Sequence, residues 1–82
     1  MKTIVITGGS DGIGKALAED LSADCTVVIL ARNEEALKEI AKRTAASYFV
    51  CNVKNAEQVK TVFEDIVAKH HRIDVLINNA GV

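Results

Sequence analysis

The runs Ile4-Val5-Ile6, Val27-Val28-Ile29-Leu30 and Val75-Leu76-Ile77 are apolar on consecutive residues rather than alternate ones. Successive side chains of a strand point to opposite faces, so each run needs cover on both sides, as strands have in a parallel sheet between helices. Tyr48-Phe49-Val50-Cys51 reads as a further strand. Between the runs the period changes to that of helices. Val59, Val62, Phe63, Ile66, Val67 and His70 fall on one helical face, Leu37, Ile40, Ala41 and Thr44 on a second, and Ile13, Ala16, Leu17 and Leu21 on a third, in a helix from about Gly12 to Leu21. Asn33 followed by Glu34 and Glu35 marks one helix start, and Asn55 with Gln58 three residues on predicts a capping box at another.

The order is therefore β-α-β-α-β-α-β. With right-handed crossovers its simplest assembly is an α/β Rossmann-type parallel sheet of strand order 3-2-1-4, an incomplete doubly wound fold. The 82 residues suffice for one partial dinucleotide-binding domain, residues 1–82, with one core. In this layout the strand of Val75, Leu76 and Ile77 is an edge with apolar residues on both faces, which predicts pairing with a second copy and hence a homo-oligomer.

Ten basic and eleven acidic side chains leave a net charge of -1, and neither sign forms a block, so nucleic acid is not an expected partner. No apolar run approaches the roughly 20 residues that span a bilayer, and the N-terminus lacks the apolar stretch of a signal peptide, so a soluble, cytoplasmic chain without membrane contact is expected. Cys25 and Cys51 fall at opposite ends of neighbouring strands, too far apart for a disulfide. No metal site is expected either, because His70 and His71 point about 100° apart on a helix and lack further ligands.

Thr7-Gly8-Gly9-Ser10-Asp11-Gly12-Ile13-Gly14 joins the first strand to the first helix. Such a turn serves anion binding: Gly8 permits the tight turn, Gly12 lets the backbone approach a pyrophosphate, Gly14 lets the helix pack on the sheet, and the free N–H groups of the helix start face the phosphates. A phosphate loop of the nucleoside-triphosphatase type is the rival reading. Lys15 would suit it, but Ala16 stands where a hydroxyl must meet Mg²⁺.

The spacing T-G-x-x-x-G-x-G, together with Asp74-Val75-Leu76-Ile77-Asn78-Asn79-Ala80-Gly81, resembles the short-chain dehydrogenase/reductase family. The resemblance spans the whole chain and implies about the first third of a typical member. It implies that Gly8, Ser10, Asp11, Gly12, Ile13 and Gly14 hold the pyrophosphate and adenosine ribose of a nicotinamide dinucleotide. Family members that prefer NAD usually carry an acid at the end of the second strand, whereas here Ala31 is followed by Arg32, which suits the 2′-phosphate of NADP(H) and makes NAD(H) the less favoured cofactor. A charge-assisted contact of about 1.5–3 kcal/mol corresponds to about 10- to 100-fold in affinity.

Asn52-Val53 stands where the family often has Asp-Val beside the adenine, and the Asn52 side-chain oxygen is expected to accept from the exocyclic amine. Asn79, Ala80 and Gly81 match the stretch that lies under the adenosine ribose. The family passes hydride between its cofactor and a carbonyl or alcohol, using a tyrosine, a lysine four residues later and a serine. Here the one tyrosine, Tyr48, has Asn52 at the fourth position on and reads as core. No catalytic residue is therefore assigned, and the chain alone is expected to be inactive. The alternative is a dinucleotide-binding or edge-strand dimerisation module without chemistry.

Overall fold

The computed structural model describes residues 2–8 and 12–78. Its elements run β1 (Thr3–Thr7), α1 (Gly12–Leu21), β2 (Thr26–Ala31), α2 (Glu34–Arg43), β3 (Ser47–Val50), α3 (Ala56–His70) and β4 (Val75–Asn78). The strands form one parallel sheet in the order β3-β2-β1-β4, as the sequence predicts.

Alternation along the strands divides the core into two layers. Ile4, Ile6, Val27 and Ile29 meet Ala18 of α1 and Leu37 and Ile40 of α2 on one face. Val5, Val28 and Leu30 meet Val62 and Ile66 of α3 on the other. β1 and β2 are buried almost throughout, because they lie inside the sheet and have helices on both faces. The flanking strands are thinly covered: Val50 of β3 and Leu76 of β4 are each half exposed. Tyr48 is only partly buried, packed against the α1–α2 layer.

Two helix faces are rotated from their sequence-predicted phase. In α1, Ala18 is fully buried and Ala16 is exposed, because the contact stripe runs through Leu17, Ala18 and Leu21. A stripe read from periodicity is uncertain by one residue, or 100° of rotation, and a small side chain marks the line where helix and sheet approach most closely. In α3, Val62 and Ile66 point into the sheet, Val59 and Phe63 pack at the flank, and Val67 lies 44% exposed. One sheet face takes up only part of the long apolar stripe of α3. Its outer part, with Val59, Phe63 and Val67, lines an open groove of about 890 Å³.

Polar contacts fix the ends. Asn33 caps α2 by accepting from Ala36 N–H at 3.1 Å. Asn55 caps α3 by accepting from Glu57 and Gln58 N–H. Gln58 does not complete the expected capping box, because Asn55 N–H already donates to the Asn52 carbonyl at 2.9 Å. Its side-chain oxygen reaches further back, to Asn52 N–H at 2.9 Å. At the amino edge of the sheet, Asp74 accepts from Thr3 N–H at 2.7 Å and pairs with Arg72 at 3.0 Å, fastening the entry to β4 onto β1. Both cysteines are free.

Candidate functional site at the carboxyl edge of the sheet

Because all four strands are parallel, their carboxyl ends lie along one edge. Register places Thr7 opposite both Leu30 and Asn78, and Ala31 opposite Val50. The segments that leave these ends, beginning at Gly8, Arg32 and Cys51, therefore stand in a row in which adjacent strands are about 4.8 Å apart. From β1 the chain first builds outward through β2 and β3, then returns to place β4 on the other side. The edge beside β1 is thus the point where the winding direction reverses, where open α/β sheets form a crevice for ligands.

Gly8 leaves β1 with φ at 72°, a left-handed conformation that a Cβ would strain, and its N–H donates to the Leu30 carbonyl at 2.6 Å. This bond ties the start of the glycine turn to β2. Gly12, Ile13 and Gly14 lie in the first turn of α1, which contains no acidic residue, unlike the first turns of α2 and α3. No carboxylate of that turn therefore offsets the positive end of its helix dipole. Ser10, Asp11, Asn79, Ala80 and Gly81, which the sequence also assigns to the site, lie outside the described residues.

Arg32 follows β2 directly and is exposed. Among the described residues the ion pair is Arg72 with Asp74 at the opposite edge, and none of them pairs a carboxylate with the exposed Arg32. Glu34 and Glu35 lie in the first turn of α2 beyond it.

Asn52 is more tightly built in than its position in the sequence suggests. Its N–H donates to Gln58 Oε1, its carbonyl accepts from Asn55 N–H, and its side-chain Oδ1 accepts from Lys54 N–H at 3.0 Å. This bond uses one of the two lone pairs of the oxygen within the chain's own turn. Val53 packs partly buried against the α3 layer. Just before it, Cys51 N–H donates to the Ala31 carbonyl at 2.8 Å, and burial of Cys51 raises its thiol pKa above the ordinary 9.0.

The sequence reading assigned no role to Thr7 or Asn78, and gave Gln58 only a place in the cap of α3. The Thr7 hydroxyl donates to Asn78 Oδ1 at 3.0 Å and bridges β1 to β4 at the reversal point, while Gln58 fixes the backbone of Asn52. The signal for the first pair was present, since both residues stand within the two quoted motifs. Nothing local marks Gln58, whose partner is chosen by competition for the Asn55 N–H.

Among the described residues, an exposed cation with no carboxylate partner, a left-handed glycine and a helix whose first turn holds no acid lie on one edge, a donor set for an anionic ligand. Among the described residues no three His, Cys, Asp or Glu side chains gather to hold a metal ion. None of the described helices is long and apolar enough to cross a membrane.

Comparison with known proteins agrees with this geometry. A 3-oxoacyl-[acyl-carrier-protein] reductase from Aquifex aeolicus is 38% identical over 88 residues, covering 99% of this chain and 36% of its own. The citronellol catabolism dehydrogenase AtuB of Pseudomonas aeruginosa superposes with a TM-score of 0.93 at 36% identity, covering 98% of this chain and 36% of its own. A metagenomic short-chain oxidoreductase in complex with NADP gives a TM-score of 0.89 at 36% identity, over 99% of this chain and 39% of its own. The chain thus spans about a third of the length of the curated relatives it matches. The family model described as short chain dehydrogenase matches residues 2–82, and with the sheet order, the glycine turn and these relatives it establishes that the chain belongs to the short-chain dehydrogenase family.

Proposed function

We propose that this chain is the NADP-binding part of a short-chain oxidoreductase, one that passes hydride between NADP(H) and a carbonyl or alcohol. The carrying observation is Arg32, an exposed cation that no described carboxylate pairs with, one residue beyond β2 in the same row of strand ends as Gly8. Gly8, Ser10, Asp11, Gly12, Ile13 and Gly14 would hold the pyrophosphate and adenosine ribose, Arg32 the 2′-phosphate, Asn52 and Val53 the adenine, and Asn79, Ala80 and Gly81 the floor under the ribose. The similar metagenomic oxidoreductase bound to NADP supports this choice of cofactor. When bound, the nicotinamide supplies the hydride chemistry; these residues bind and orient it.

These 82 residues bind without catalysing. Tyr48, the one tyrosine, lies in β3 partly buried against the core, and its fourth neighbour is Asn52 rather than a lysine. Tyr48 is therefore not placed to pass a proton to a substrate oxygen.

A second reading concerns self-association. Val75 and Leu76 of β4 are 39% and 50% exposed on an edge strand, so two copies would pair through Val75, Leu76 and Ile77 and bury them.

One experiment addresses both readings: calorimetric titration of the chain with NADPH and with NADH, on samples whose mass is read by sedimentation. Glu34 and Glu35 near Arg32 place the preference at the low end of a charge-assisted contact, about 10-fold for NADPH. Arg32→Ala should erase that preference and leave NADH binding unchanged. Equal binding of both cofactors by the parent chain would refute the 2′-phosphate role, and a monomer at high micromolar concentration would refute the pairing.

A further inference from the structure

We propose that Gln58 is a positioning residue for the base of the dinucleotide: its side-chain oxygen holds the turn of Asn52 to the head of α3 before a ligand arrives. The inference rests on the dinucleotide reading above and concerns how that same site is kept in shape. Gln58 stands in the first turn of α3, three residues after the cap Asn55, where a glutamine ordinarily reaches back to the N–H of the capping residue. Here the Asn55 N–H is already given to the Asn52 carbonyl at 2.9 Å. The Gln58 side chain reaches past it and accepts from Asn52 N–H at 2.9 Å.

The bonds of Asn52 are not equivalent. Those from Asn55 N–H to its carbonyl and from Lys54 N–H to its Oδ1 are made within the turn, and they travel with the turn wherever it goes. The bond to Gln58 instead links Asn52 to the body of α3, which Val62 and Ile66 anchor on the sheet. Gln58 is exposed, so water can take its place on the Asn52 N–H, and the bond adds little to the stability of the fold. Water, however, cannot fix a direction. Without the Gln58 oxygen the turn samples several orientations, and a cofactor must order it on binding. Lost pre-organisation of this kind lowers affinity and leaves stability nearly untouched, which separates a positioning role from a structural one.

Two variants test this by calorimetric titration with NADPH and with NADH at about 0.15 M salt, where exposed charges are screened beyond about 8 Å. Gln58→Met removes the acceptor at similar length and helix propensity, and Gln58→Glu keeps an acceptor. Gln58→Met should bind both cofactors about 3- to 10-fold more weakly, with their ratio unchanged because Arg32 is untouched, while Gln58→Glu should stay within about 2-fold of the parent. Both should melt within about 3 °C of the parent by circular dichroism. In the ligand-free chain, amide hydrogen exchange at Asn52, read by NMR, should be slower in the parent and Gln58→Glu than in Gln58→Met. Unchanged binding by Gln58→Met, or an equal loss in both variants, would overturn the positioning role, and equal exchange in the parent and Gln58→Met would overturn the bond behind it. Binding of neither cofactor by the parent chain would instead overturn the dinucleotide reading itself, and the role with it.

Discussion

Replacing Ile66 by alanine tests where the stability of this fold resides. Ile66 is fully buried in α3 and packs with Val62 against Val5, Val28 and Leu30, all but Val62 at zero exposure. The substitution removes three carbons from a contact between a helix and the two central strands. Those strands are held on both sides by hydrogen-bonded neighbours and cannot move in to fill the space. Isoleucine-to-alanine changes in cores cost about 2–5 kcal/mol, and a rigid wall on one side places this one near about 3 kcal/mol. A chain of this length has a total stability of about 4–12 kcal/mol, so the loss would be a quarter or more of the whole. With a urea dependence of about 1 kcal/mol per molar for a small domain, the unfolding midpoint should fall by about 3 M. The matched control is Val67→Ala, at the next residue of the same helix but 44% exposed, which should move the midpoint by less than about 0.5 M. Equal shifts in the two variants would refute the phase assigned to α3 and the division of the core into two layers.

Two further outcomes follow from single contacts. The Asp74 carboxyl is held below its ordinary 3.8, first by the Thr3 N–H and then by Arg72, so its contribution is complete at neutral pH and is lost as pH falls below about 4 through the folded-state value. Urea midpoints of Asp74→Asn should therefore lie below those of the parent at pH 7, with the gap narrowing as pH falls below 3.8; a constant gap would show that ionisation of Asp74 is not what holds β4 to β1. Thr7→Val keeps the shape of a side chain that is 8% exposed and removes its donation to Asn78. A loss of about 0.5–1.5 kcal/mol should lower the melting temperature by about 2–10 °C, read by circular dichroism, and an unchanged melt would mean that the bridge contributes nothing.

The strand order was legible because it depends on coarse, redundant signals. Three consecutive apolar runs demand two-sided cover, and a glycine turn after the first fixes where the winding starts, so no single residue decides the answer. The phases of α1 and α3 were less legible for a physical reason. Ala16 and Ala18 are the same residue type on either side of Leu17, and only the approach of helix to sheet decides which is buried. Val67 has the periodicity of a core residue, but the sheet face is too narrow to cover the whole stripe of a 15-residue helix. Edge exposure was foreseen for β4 and realised on β3 as well, where Val50 lies half open.

The candidate site divides in the same way. Gly8 and Arg32 could be placed from sequence because each has one physical property that matters, a left-handed backbone or a fixed positive charge. Asn52 could be placed but not interpreted, because asparagine carries a donor and an acceptor on one group and residue type cannot say which faces outward. Its setting is made by three neighbours within the next six residues: Lys54 N–H donates to the side-chain oxygen, Asn55 N–H to the carbonyl, and Gln58, displaced from the cap it was expected to complete, accepts from the N–H. The geometry that holds a base-facing residue is therefore set at the start of α3, and changes at Gln58 should alter how Asn52 presents itself without touching a ligand. Gln58→Ala would free the Asn52 backbone, and weaker calorimetric binding of NADPH at a nearly unchanged melting temperature would reveal that control, whereas unchanged binding would refute it.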